Sequence, residues 1–192
     1  MTRDLDRGTI LELLGELGDR LAAQGQRADF YVVGGAAMLL AYGREQMTRD
    51  IDAVFEPKEA IYREAEAMAQ DRPWLGDGWL NDAVKGFING PDPEPEAAEV
   101  ILKTGSLSVQ VASPRRLLAM KVAAARVERD RDDILTLAAL VGARSIEEIL
   151  GIAHAEYGDR LEAKSRFLVM EALDGVLPQR LPDTGKPGAR PN

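Results

Sequence analysis

Asp50 and Asp52, two carboxylates separated by one apolar residue, are the part of this sequence best suited to chemistry. In Asp50-Ile51-Asp52-Ala53-Val54-Phe55, Ile51, Ala53 and Phe55 alternate with Asp50, Asp52 and Val54, the period of a strand, so both acids fall on one face. Along such a strand they stand roughly 6–7 Å apart. Without a cation they would repel and one would tend to keep its proton, a poor use of two strand positions unless a divalent ion sits between them. Mg²⁺ favours carboxylates combined with substrate phosphates, and two such ions can clamp the attacking and leaving oxygens of an in-line phosphoryl displacement.

The elements that must position this pair are legible on either side of it. Phe30-Tyr31-Val32-Val33 is an apolar, β-branched and aromatic run that stops at Gly34-Gly35, as a buried strand ending in a tight turn does. A small-residue helix is expected over residues 36–42, and Gly43 breaks it. A strand that ends in glycines and opens a helix lets backbone N–H groups approach a phosphate with no Cβ in the way, at the helix end that favours negative charge. Either motif alone is ordinary, a βα turn in one case and solvated acids on an edge strand in the other. Together, in this order, with both acids opposite Ile51 and Ala53, they point to nucleotide handling.

Val33-Gly34-Gly35, a short helix and Asp50-Ile51-Asp52 resemble the signature of the minimal nucleotidyltransferases, which have the DNA polymerase beta type of catalytic core. Thr48-Arg49-Asp50-Ile51-Asp52 is most similar to the AbiEii-type toxin branch, relatives of the MenT toxins. There a later helix carries a Lys, an Arg and an Arg-Asp-x-x-Asp segment, matched here by Lys121, Arg126 and Arg129-Asp130-Arg131-Asp132-Asp133. The resemblance spans residues 28–140. It implies that Asp50 and Asp52 hold one or two Mg²⁺ ions and that Gly34, Gly35, Thr48, Arg49, Lys121 and Arg126 contact a nucleoside triphosphate. It further implies that Lys121 neutralises the triphosphate, while Asp130 or Asp133 activates the acceptor hydroxyl or orients Lys121. A tRNA end as acceptor and a cognate antitoxin as partner follow from the same branch. One departure stands out: where many relatives place a third metal-binding carboxylate on a late strand, this chain has Gln110, and Asp130 and Asp133 are the acids left to replace it.

Length and composition agree with that frame. The 192 residues suffice for one core with a helical appendage. With no cysteine there are no disulfides or thiolate metal sites, a reducing cytoplasm is the natural setting, and the lone His154 argues against zinc. No apolar run is long enough to cross a membrane, and the N-terminus lacks the apolar core of a signal peptide. A net charge of −8 argues against a surface that coats nucleic acid. It leaves room for a local basic strip, since Arg115, Arg116, Lys121, Arg126, Arg129 and Arg131 lie close together, although such a run also fits a solvated helix face.

The remaining elements follow in order. Leucines and Ile10 recur at helical spacing over residues 4–24, a packing helix. Pro57 opens a helix over 58–70. Residues 74–90 are harder to read; Trp74, Trp79 and Phe87 suit either a base-stacking wall or the core. Residues 100–102 and 107–111 read as a hairpin around Thr104-Gly105, for about four strands in all. Ser113-Pro114 starts a mostly apolar helix from which Lys121 emerges, either as a phosphate ligand or as a snorkelling lysine. Asp130 and Asp133, at i and i+3, share a face near the start of the next helix. Ser145 to Glu148 is a capping box, and residues 160–173 form a last amphipathic helix. The expected fold is α/β (α+β): a small mixed sheet flanked by helices in a nucleotidyltransferase-like core over 1–112, a C-terminal α-helical layer over 113–174 completing the site, and a flexible Pro- and Gly-rich tail over 175–192. The same core could instead modify a small molecule such as an aminoglycoside, or persist as a non-catalytic nucleotide- or partner-binding protein, a reading that Gln110 favours.

Overall fold

The computed structural model describes residues 2–124 and 126–177. Most of the expected tail, and Ala125, therefore lie outside the described residues. Among those described, five strands form one mixed sheet and seven α-helices flank it. The strands are β1 (Ala28–Val32), β2 (Ile51–Glu56), β3 (Leu80–Asn81), β4 (Glu99–Lys103) and β5 (Leu107–Val111), in the order β3-β2-β1-β5-β4. β1 runs antiparallel to β2 and parallel to β5, so the turn after β1 lies between the strand of the acids and the strand of Gln110. The sheet has one strand more than expected. The extra one, β3, has only two residues, too few for any periodicity to show, and exists because it pairs in parallel with β2.

Alternation decides which face is filled. Ala28, Phe30 and Val32 of β1, Ile51, Ala53 and Phe55 of β2, and Leu107, Val109 and Val111 of β5 are buried on one side. Helix α1 (Arg7–Ala23) and helix α3 (Lys58–Asp71) cover this side. Gly18 of α1 packs against Leu107 so closely that an added Cβ would lie 3.1 Å from its Cβ, and Tyr62 of α3 meets Phe55 edge-on at 5.1 Å. Leu13, Leu14, Leu17 and Leu21 of α1 are all buried, each contributing roughly 2 kcal/mol by removal of apolar surface from water. Trp79 joins this core, its Nε1 donating to the Ala65 carbonyl, and so is not part of a stacking wall, whereas Phe87 is exposed.

The opposite face carries Asp52 and Val54, Tyr31, and Ser108 and Gln110, all only half-buried. Helix α2 (Gly34–Ala41) leaves β1 at this level. Helices α4 (Pro114–Ala124), α5 (Val127–Leu140), α6 (Ile146–Tyr157) and α7 (Ala163–Leu173) pack on one another as the C-terminal layer. Both expected caps form: Ser113 Oγ accepts from Arg116 N and Ser145 Oγ accepts from Glu148 N. Arg116 is completely buried, so it belongs neither to a basic strip nor to a solvated face. Its guanidinium donates to the carbonyls of Asn89, Gly90 and Pro91 and pairs with Glu156, fastening the proline-rich loop to α4 and α6. Asp92 in that loop accepts from Tyr31 Oη and Ser113 N, closing one end of the open face. No described helix is long and apolar enough to cross a membrane.

Candidate nucleotide site

Val33 N donates to Asp52 O at 2.9 Å, so the β1–β2 ladder runs up to the point where the chain turns into α2. Gly34 makes that turn with φ +66°, and a Cβ built on it would stand 3.0 Å from Asp52 Oδ2. The glycine is thus required twice, by its left-handed backbone and by the carboxylate against it. Gly35 is equally enclosed, because its Cβ would meet Thr48 Oγ1 at 2.8 Å. Gly34 is therefore in direct apposition to Asp52, and Gly35 to Thr48 and Arg44.

Asp50 immediately precedes β2 instead of lying within it, a shift of one residue from the sequence expectation. It remains close enough for its charge to act on Asp52. Burial, and next the Asp50 charge, raise the Asp52 pKa above the ordinary carboxylate value, while a hydrogen bond from Asn81 and the charges of Arg126 and Arg129 oppose the rise. This is an electrostatic environment that favours a bound cation. No group of three or more His, Cys, Asp or Glu side chains among the described residues is placed to hold a metal. Two carboxylates that leave the rest of the coordination to phosphate and water fit the preference of Mg²⁺. Gln110 shares the open face but lies two strands from β2, and its Nε2 approaches Ala98 O at 3.5 Å.

The second motif forms a compact charge cluster. Lys121 is only 7% exposed, which rules out a snorkelling lysine. Its Nζ lies 2.9 Å from Asp130 Oδ1 and 2.7 Å from Asp133 Oδ2, the two acids sharing a face of α5 as their spacing requires. Asp133 Oδ2 also receives Arg44 NH1 at 2.9 Å. Arg44 belongs to the connection between α2 and β2, and its NH1 comes within 3.4 Å of the Gly35 Cβ position. The chain of contacts Gly35, Arg44, Asp133, Lys121, Asp130 thus joins the two motifs, which are far apart in sequence. Asp130 and Asp133 are committed to these cations, an arrangement suited to orienting Lys121.

The structure does not bring every expected residue to the cluster. Thr48 is buried against Gly35, with its backbone paired to Leu5. Arg49 points away, its side chain 90% exposed and only loosely near Asp4 at 3.9 Å. Arg126 caps the start of α5 without a side-chain cap bond and acts on Asp52 through its charge, as does Arg129. Arg44 and Asn81 escaped sequence reading. Asn81 pairs in register with Asp52, and its Oδ1 accepts from Ala83 N, which turns the amide N–H₂ toward the carboxylate.

The family model described as "Nucleotidyltransferase of unknown function (DUF6036)" matches residues 9–168. The chain belongs to that family. As a nucleotidyltransferase-family protein it has the fold expected of it, and the matched span takes in the Gly-Gly turn, both acids and the Lys121 cluster. A solved structure, of an antigenic nucleotidyltransferase-like protein from Paracoccidioides brasiliensis, is similar at a TM-score of 0.45 and 16% identity, over 80% of this chain and 89% of that one. No curated protein matches the chain.

Proposed function

We propose that this family member transfers a nucleoside monophosphate from a nucleoside triphosphate to an acceptor hydroxyl. The observation that carries the reading is the Arg44–Asp133–Lys121 chain of contacts, which links a buried ammonium through Asp133 and Arg44 to Gly35, the residue after the turn where Gly34 meets Asp52. Gly34 and Gly35 receive phosphate oxygens on backbone N–H groups at the start of α2. Lys121, held by Asp130 and Asp133, supplies positive charge to the β- and γ-phosphates, with Arg126 as a further cation at the rim. Asp50 and Asp52 hold Mg²⁺, which when bound offsets phosphate charge during in-line displacement. The acceptor oxygen bonds to the α-phosphorus as its bond to the bridging oxygen breaks, the hydroxyl proton passes to solvent, and pyrophosphate leaves. Fixed cations and oriented N–H groups stabilise the transferring phosphoryl, with little covalent work for the protein.

By its likeness to the AbiEii-type branch, we assign the acceptor as a tRNA end and the role as the toxin of a cytoplasmic toxin–antitoxin pair. Gln110 favours a second reading, a protein that binds nucleotide without turnover. The test is incubation with each α-labelled nucleoside triphosphate, Mg²⁺ and total RNA, with parallel aminoglycoside and protein acceptors. Label on RNA is expected. Label only on an aminoglycoside would replace the acceptor, and Mg²⁺-dependent binding without any transfer would establish the non-catalytic protein.

A further inference from the structure

We propose that Arg44 is a phosphate ligand of this site, reaching the oxygen held by the Gly34-Gly35 turn. The inference rests on the nucleotide reading above and adds a residue that neither motif contains. Its side chain is 9% exposed, about as enclosed as the acids it meets. Of its donors, NH1 goes to Asp133 Oδ2 at 2.9 Å and NH2 to Gln46 Oε1 at 3.3 Å. Nε is buried and has no hydrogen-bond partner among the described residues. An unpaired donor on a buried cation is costly, and it is the kind of group that a ligand satisfies.

Position ties the guanidinium that carries this donor to the glycine turn. NH1 lies 3.4 Å from the Gly35 Cβ position, and the space that a side chain would fill there is closed by Thr48 Oγ1 and by this guanidinium. An anion seated on the Gly35 N–H would thus lie on the residue that the Arg44 guanidinium flanks. Charge points the same way. Asp130 serves Lys121 alone, whereas Asp133 is shared between Lys121 and Arg44, so Arg44 is the cation with no acid to itself. Phosphate accepts from a planar fork at two points, which a single shared carboxylate oxygen does not satisfy.

Arg44 could instead act only as a staple, fixing Asp133 and through it Lys121. A double-mutant cycle read by titration calorimetry separates the two roles. The probes are the nucleoside triphosphate that the wild-type protein binds best with Mg²⁺, and the matching nucleoside. For a phosphate ligand, Arg44→Gln weakens triphosphate binding by about ten-fold or more and leaves the nucleoside unchanged, because a charged hydrogen bond is lost. The same loss appears when Arg44→Gln is made in the Asp133→Asn background. Arg44→Lys, which keeps charge and loses the fork, gives a smaller loss and carries the test if the glutamine variant does not fold. Unchanged binding in the folded Arg44 variants, or a loss that vanishes in the Asp133→Asn background, overturns the proposal. Failure of the wild-type protein to bind any of the four triphosphates would instead refute the nucleotide reading itself.

Discussion

Replacing Lys121 with methionine has consequences that the burial of its partners makes calculable. The methionine keeps the apolar stem within α4 but removes the ammonium 2.9 Å from Asp130 and 2.7 Å from Asp133. Asp133 retains Arg44, whereas Asp130 loses the only cation within ion-pair distance of it among the described residues. Removing one member of a buried ion pair costs about 3–5 kcal/mol because a carboxylate is left without compensation. Taking ~3 kcal/mol, since Arg44 still serves half of the acid pair, and about 2–4 °C per kcal/mol for a chain of this size, Lys121→Met should melt about 6–12 °C below the wild type. Lys121→Met/Asp130→Asn, which removes both charges, should recover most of that loss. Thermal melts by circular dichroism measure both. Nucleotide binding should stay impaired in the recovered double variant, because stability returns while the phosphate cation does not. A single variant melting within about 1 °C of wild type, or a double variant no more stable than the single, would refute the buried cluster as the reason for this lysine.

Three further outcomes follow from the geometry. Burial and the neighbouring Asp50 raise the Asp52 pKa, so the folded protein holds that proton to higher pH than the unfolded chain does and loses stability as pH rises through the raised value. Without Mg²⁺, Asp52→Asn should therefore be the more stable protein at neutral pH, with a gap that closes as pH falls below the ordinary carboxylate range; melts over a pH series would contradict this if the gap widened on acidification. Gly34→Ala places a Cβ at φ +66°, 3.0 Å from Asp52 Oδ2, and should cost roughly 1–2 kcal/mol in stability through the backbone alone, while Mg²⁺-dependent nucleotide binding weakens because the carboxylate is displaced. Asn81→Ala removes the amide that orients Asp52; it should lower the transfer rate at saturating nucleotide more than it raises KM, and an unchanged rate would make that contact structural.

What could be read in the sequence was local. Gly34-Gly35 and the acids at 50 and 52 are recognisable because their spacing is set by one turn and one strand, and Asp130 and Asp133 because i and i+3 fix a helix face. Arg44 could not be read this way. It pairs with an acid 89 positions further on, and nothing around Gly43 marks the connection as facing α5. Asn81 stayed hidden because β3 has two residues and is a strand only through its neighbour. Arg116 misled because a guanidinium in a basic run looks solvated, whereas its partners are loop carbonyls 25 to 27 positions earlier in the chain. The uncertain stretch at 74–90 was resolved by Trp79, whose ring fills the core next to Ala65.

We propose that Asp52, at the Gly34 turn, and the Lys121 cluster form one nucleotidyl-transfer site. The most direct test is single-turnover transfer of α-label to total RNA by the wild-type protein and by Asp52→Asn at equal protein and saturating Mg²⁺. Transfer by the wild type, with Asp52→Asn folded but slower by at least about a hundred-fold, is the predicted result, in keeping with the loss of one electrostatic group at a transferring phosphoryl. Transfer by Asp52→Asn at the wild-type rate would show that Asp52 is not part of the transfer site.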